Sequence, residues 1–166
     1  SLSMVDDPER FVDIYHVRND YYWEQHMAGQ LDKAALRYHR FHDAFLSFGL
    51  DDAQLSKAFS QSYIERAPQQ TKLIEGSEEV LEYLKSKGYH LHIISNGFGE
   101  MQVKKMHHAG IQDYFTSVVT SEMTGKKKPH FAIFDYALSL NGAAREKSVM
   151  VGDDLINDII GARDAG

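Results

Sequence analysis

The chain reads as an α/β protein in which a helical segment precedes a Rossmann-like core of parallel strands. Three features predict this. From Ser77 onward, helical and strand-like stretches alternate, an order that produces a parallel sheet with right-handed crossovers. Residues 6 to about 68 carry no strand pattern, only three amphipathic stretches separated by glycines. The change of character falls at Ala67-Pro68-Gln69-Gln70-Thr71, which divides a helical domain, 1–70, from an α/β domain, 71–166.

Each element has a local cause. Asp6 or Asp7 can cap a first helix with Pro8 in its first turn; Phe11, Ile14, Tyr15 and Tyr22 recur at helical spacing and Gly29 ends it. A second helix begins near Asp32, carries Ala34, Tyr38, Phe41, Phe45 and Phe48 on one stripe, and ends at Gly49. A third starts at Asp51 or Asp52, carries Leu55, Ala58, Phe59 and Tyr63, and stops before Pro68. Three helices with short turns make a small bundle. Ser77 then caps a helix that ends at Gly88, and His90 to Ile94 is a strand. Gly99 to His108 is helical, Thr116 to Thr120 a strand, His130 to Leu140 helical, and Lys147 to Val151 a third strand, with a last helix closing the chain.

Bulk composition narrows the function classes. The net charge of −6, from 18 basic and 24 acidic side chains, disfavours a nucleic-acid polymer as partner but allows a small phosphorylated metabolite. With no cysteine, disulfides, thiolate metal sites and cysteine nucleophiles are excluded. No apolar run approaches the roughly 18 residues of a membrane span. Ser1-Leu2-Ser3-Met4 lacks the basic start of a signal peptide, so the expected location is cytoplasmic. Nothing in the sequence fixes an oligomeric state.

Three short constellations can carry chemistry. Ile94-Ser95-Asn96-Gly97-Phe98-Gly99 brings a hydroxyl, an amide and small residues between a strand and a helix, where backbone N–H groups can approach an anion. A plain strand-to-helix turn would look the same. Its Gly97-Phe98-Gly99 start fails as a dinucleotide fingerprint because Gln102 stands at the third glycine position. Lys126-Lys127-Lys128-Pro129 is either a solvated basic loop or the place from which Lys128 meets a phosphate as a point charge. Val151-Gly152-Asp153-Asp154 with Asp158 clusters three acids after a strand; helix capping accounts for one, and a hard divalent cation such as Mg²⁺ would account for the others. Ser95, Lys128 and Asp153 are all expected on loops at one sheet edge, where a hydroxyl, an ammonium and a metal-binding carboxylate suit phosphoryl transfer.

These three motifs, in this order, resemble the haloacid dehalogenase superfamily of phosphohydrolases over roughly residues 72–166. The Ser-Asn-Gly-Phe sequence, with Asp113-Tyr114-Phe115 and Ile133-Phe134-Asp135-Tyr136-Ala137-Leu138, is closest to its pyrimidine 5′-nucleotidase-like group. The preceding helices resemble the α-helical cap that the family inserts into its core. The resemblance implies a Mg²⁺-dependent phosphomonoester hydrolase working through an aspartyl-phosphate, with a nucleoside monophosphate as substrate. Ser95 would hold the phosphoryl group with the backbone at Asn96 and Gly97. Lys128 would bridge phosphate and nucleophile, Asp153 would bind the metal, and Asp158 would fix the metal's water shell or Lys128. Asp154 stands where the family often has a hydroxyl and would be a further metal-side group. The alternatives are a sugar-phosphate phosphatase or a dehalogenase of the same fold, or a non-catalytic binding protein.

One departure matters. The family's first motif, an apolar strand ending in Asp-x-Asp and followed by Thr, supplies the nucleophile, and no Asp-x-Asp occurs in the chain. The strand that carries it normally lies between those leading to Ser95 and Asp153, so the core is expected to be incomplete, with a gapped or rearranged sheet and exposed apolar edges. The full-length coding sequence upstream of Ser1 would separate the enzyme readings from the binding protein.

The nine histidines show no His-Glu-x-x-His pair and read as structural or surface groups. Tyr21-Tyr22-Trp23 reads as helix core, with stacking on a nucleotide base as the sharper alternative. Residues 1–166 alone are predicted to lack phosphatase activity. Turnover of a generic phosphoester with Mg²⁺ is the measurement, and ordinary turnover would refute the prediction.

Overall fold

The computed structural model describes residues 6–166. Ser1 to Met4, which bear on the expected location, lie outside the described residues. The chain divides into two compact units, Ser1–Arg66 and Ala67–Gly166.

The first unit is three helices, α1 (Pro8–Met27), α2 (Lys33–Leu46) and α3 (Ala53–Arg66). Each is started by an aspartate that accepts from backbone N–H groups of the first turn: Asp7 from Arg10, Asp32 from Ala35, and Asp52 from Gln54 and Leu55. Gly29 and Gly49 follow α1 and α2 with φ of +72° and +73°, the left-handed geometry glycine adopts without a Cβ clash. Phe11, Phe41, Ala44 and Phe45 form the core, with Ile14, Tyr15, Phe48, Leu55 and Phe59 against it.

The buried face of α2 departs from the stripe expected. It is made by Leu36, Arg40, Phe41, Ala44 and Phe45, while Ala34 is exposed. Arg40, 6% exposed, lies with its guanidinium 4.9 Å from the Phe41 ring centroid, 5.1 Å from that of Tyr63 and 5.9 Å from that of Tyr15. It also donates to Asn19 Oδ1 at 3.1 Å. Three ring faces therefore stand in for water around a cation. Burial lowers the Arg40 pKa and raises that of the Tyr15 phenol. On α3, Leu55 and Phe59 pack on the core as expected, but Ser56 and Ser60 are buried while Ala58 is exposed. The hydroxyls are satisfied: Ser60 donates to the Arg37 carbonyl and Ser56 to the Asp52 carbonyl.

The aromatic group of α1 is mostly used within the unit. Tyr22 stacks on His39 and donates to Asp43, and Trp23 meets His26 edge-on. Of the histidines, His42 contacts the Ser56 hydroxyl and His108 the Pro68 carbonyl.

The second unit contains α4 (Ser77–Ser86), β1 (Leu91–Ser95), α5 (Gly99–His108), β2 (Phe115–Thr120), α6 (Ser121–Thr124), α7 (Phe131–Leu140) and α8 (Gly161–Asp164), the last entered through a π-helical turn at Leu155–Ile160. Ser77 is the first helical residue of α4, not its cap; Gly76 takes the cap position at φ +79°. Strands β1 and β2 are parallel, with Ser95 opposite Thr120. Val119, Ile133, Phe134 and Ala137 form the core under them, joined by Ile94, Met150, Ala162 and Ala165.

The third expected strand, Lys147–Val151, is absent from the ladder. Lys147 ends a short 3₁₀ turn, and residues 148–150 run on without pairing. The alternation of a strand survives, since Met150 packs on the core while Val149 and Val151 are 89% and 86% exposed. A strand exists only by hydrogen bonding to a neighbour, and no neighbour lies beside this segment among the described residues. Among the described residues the sheet has two strands, and this apolar segment lies outside it with Val149 and Val151 exposed. No described helix is long and apolar enough to cross a membrane.

Phe41→Ala should lower stability by about 3–5 kcal/mol because it opens a cavity among Tyr15, Phe59 and Tyr63. Val151→Thr should change it by no more than about 0.5 kcal/mol. Chemical unfolding of both variants checks the contrast.

Candidate active site

At the C-terminal end of β1 the chain turns through Ser95, Asn96 and Gly97 into α5. Ser95 Oγ accepts from the Gly97 N–H at 3.1 Å, which shapes the turn. The Asn96 side chain does something the sequence did not suggest. Its Nδ2 donates to the Lys128 carbonyl at 3.0 Å, and its Oδ1 accepts from the Lys128 N–H at 2.7 Å. One amide thus satisfies both backbone groups of a residue 32 positions away and locks the two loops together. Ser121 Oγ, at the start of α6, donates to the Asn96 carbonyl at 3.1 Å. Glu122 accepts from the Gly99 N–H at 2.8 Å and so occupies the first turn of α5.

Lys128 precedes Pro129 through a cis peptide bond. Its Nζ forms a short, direct ion pair with Asp158 Oδ1; the two side chains are 12% and 6% exposed. Asp158 Oδ2 also accepts from the Asp154 N–H at 3.2 Å. Its carboxylate lies so close to Gly152 that a Cβ there would fall 2.3 Å from Oδ2, so any side chain at 152 would displace it. The π-helical turn permits this placement: the Gly161 N–H reaches back to the Ile156 carbonyl, and the wide turn holds Asp158 inward while its neighbours Leu155, Ile156 and Ile159 are exposed.

The three acids have three different environments. Asp154 caps the turn, accepting from the N–H groups of Ile156 at 3.0 Å and Asn157 at 2.8 Å, and from Asn157 Nδ2 at 2.6 Å. The Asn157 backbone and side chain, helped by Ile156 and by the Lys128 charge, hold its carboxyl below the ordinary value. Asp158 is engaged by Lys128. Asp153 is exposed and makes no hydrogen bond among the described residues. No group of three His, Cys, Asp or Glu able to hold a metal exists among the described residues, so the cluster is not by itself a metal cage. The donor chemistry nevertheless suits Mg²⁺, which takes one or two carboxylates and fills its octahedron with water and phosphate oxygens. Asp153 is the carboxylate with its oxygens available.

The structure therefore brings together Ser95, Asn96, Gly97, Lys128, Asp154 and Asp158 as one braced edge at the end of a parallel strand. An asparagine between a strand and a glycine is a turn signal. Its partner at Lys128 could be found only in three dimensions.

Comparison with known proteins is consistent across sequence and structure. The sequence profile of the haloacid dehalogenase-like hydrolases matches residues 18–166. The pyrimidine 5′-nucleotidase YjjG of Escherichia coli (strain K12) is 31% identical over 153 residues, 92% of this chain and 66% of that protein. The glyceraldehyde 3-phosphate phosphatase of Methanothermobacter thermautotrophicus is 48% identical over 83 residues, 50% of this chain and 37% of that protein. The crystal structure of the putative hydrolase YfnB from Bacillus subtilis, bound to magnesium, superposes with a TM-score of 0.80 at 24% identity, covering 94% of this chain and 69% of that one, a likeness of fold. The chain spans between about a third and two thirds of the length of the two curated relatives.

Lys128→Met should destabilise the second unit by about 3–5 kcal/mol because Asp158 is left buried and unpaired. Lys128→Met with Asp158→Leu should recover most of that loss. Denaturant melts of the single and double variants give the comparison, and equal losses in both would contradict a buried, mutually dependent pair.

Proposed function

We infer the function from kinship and site geometry together: the chain belongs to the haloacid dehalogenase-like hydrolase family, and its braced edge carries a hydroxyl, an ammonium and carboxylates suited to phosphoryl transfer. The protein is a phosphomonoester hydrolase acting on a small phosphorylated metabolite, with a nucleoside monophosphate as the favoured substrate. The observation that carries the reading is the linkage of Asn96 to the Lys128 backbone and of the Lys128 ammonium to Asp158, which ties the lysine loop to the Ser95–Gly97 turn.

In this reading, Ser95 donates to a phosphoryl oxygen, with the backbone of the Asn96–Gly97 turn beside it and the Gly97 N–H holding the Ser95 hydroxyl in place. Lys128 lies between phosphate and nucleophile as a fixed positive charge, oriented by Asp158. Asp153 is the metal-side carboxylate, with Asp158 and Asp154 behind it. Mg²⁺, when bound, would neutralise phosphoryl charge and orient the group for in-line attack. The family's chemistry proceeds through an aspartyl-phosphate. Its aspartate is not assigned to a residue of this chain, which has no Asp-x-Asp. Residues 1–70 are read as the α-helical cap and 71–166 as part of the catalytic core. The relatives named as nucleotidases support the nucleotide preference because they match nearly the whole chain. The stronger local identity to a glyceraldehyde 3-phosphate phosphatase supports a sugar-phosphate substrate as the second reading.

In the intact natural protein with Mg²⁺, phosphate release from nucleoside monophosphates should exceed that from triose phosphates in kcat/KM, and chelation should abolish both. Ser95→Ala should lower kcat by about 10²–10³-fold, and Lys128→Met should lower it at least as far. Turnover indifferent to both substitutions would refute the site. A higher kcat/KM for triose phosphates would select the second reading.

A further inference from the structure

The groups around the Ser95–Gly99 turn are nearly all in use. Gly97 N–H is on Ser95, Gly99 N–H is on Glu122, and both polar atoms of the Asn96 side chain are on Lys128. One amide is left over. Gln102, in the second turn of α5, folds its side chain back along the helix so that Nε2 lies against the Cα of Gly97. A Cβ at 97 would be 2.3 Å from that nitrogen and 3.4 Å from Ser95 Oγ, so the amide and the hydroxyl lie on the same side of Gly97. Gly97 is the residue that allows the amide to be there.

The Gln102 side chain makes no hydrogen bond among the described residues. Its backbone N–H is spent on the Phe98 carbonyl, as helix geometry requires. The residue is half-buried, yet its amide nitrogen is not among the sealed polar atoms lacking a hydrogen bond among the described residues. A primary amide carries two donors, and one held in a tight corner without a protein acceptor is suited to an acceptor from outside.

We propose that Gln102 is a substrate-contacting residue whose amide donates to a phosphoryl or ester oxygen held beside Ser95. The inference rests on the phosphohydrolase reading of the same site and adds a donor to it. A neutral donor binds oxygen without competing with Asp158 for Lys128. It also explains why a long polar side chain turns toward Gly97 when solvent would satisfy it elsewhere.

The test uses the intact natural protein with Mg²⁺, a generic aryl phosphate as substrate and inorganic phosphate as competitive inhibitor. Gln102→Met keeps the length and removes the donors; it should raise the inhibition constant for phosphate about tenfold, the weight of one good hydrogen bond. Gln102→Glu should raise it further by charge repulsion, and Gln102→Lys should restore or tighten it. Melting temperatures should not follow that charge order. A purely structural role would instead lower stability and activity in all three variants irrespective of charge. Phosphate inhibition unchanged in Gln102→Met and Gln102→Glu, while Lys128→Met loses it, would overturn the role of Gln102 alone. If the parent protein neither turns over the ester nor binds phosphate, the site reading fails and Gln102 falls with it.

Discussion

An ammonium and a carboxylate withdrawn from water must satisfy one another, and Lys128 and Asp158 do so while each is held from behind. Lys128 has its backbone fixed by Asn96; Asp158 rests on Gly152 and takes the Asp154 N–H. The desolvation cost of both charges is offset only while that geometry persists. The turn after β1, the loop before α7 and the turn into α8 are therefore not independent connectors. Moving any one of them strands a charge, and this is how three loops widely separated in sequence come to behave as one rigid edge.

The helical unit solves a related problem differently. Arg40 makes no ion pair with a carboxylate among the described residues. Its charge is accommodated by the faces of Phe41, Tyr63 and Tyr15 and by Asn19. Aromatic quadrupoles and one amide replace a counterion. The three helices meet around this residue, so the unit is fixed by a cation at one level of its core and by the Phe11–Phe45 contact at another.

Much of this was legible in the sequence where the cause is local. Helix starts at Asp7, Asp32 and Asp52 depend on a side chain reaching its own backbone, and the ends at Gly29 and Gly49 depend on glycine's freedom of φ. Residue types at Ser95, Lys128 and Asp158 were legible for the same reason, since each stands just beyond a periodic segment. What was not legible depends on partners. Val149 to Val151 has strand composition but no neighbour to pair with among the described residues. The inward faces of α2 and α3 carry Arg40, Ser56 and Ser60, which a polarity pattern assigns to solvent and which only ring faces and carbonyls from other helices make tenable inside. Asn96 and Gln102 are ordinary turn and helix residues until Lys128 and Gly97 are brought against them.

The π-helical turn at Leu155–Ile160 carries a consequence for how this segment can vary. In a helix each residue advances the side chain by about 100°. Deleting one residue there would restore a regular helix yet carry Asp158 around the axis, away from Gly152 and Lys128. An insertion would do the reverse. Apolar identities at 155, 156 and 159, all exposed, are free to drift. The spacing from Gly152 to Gly161 is not, so length rather than composition is the property of this stretch that natural variants have to keep.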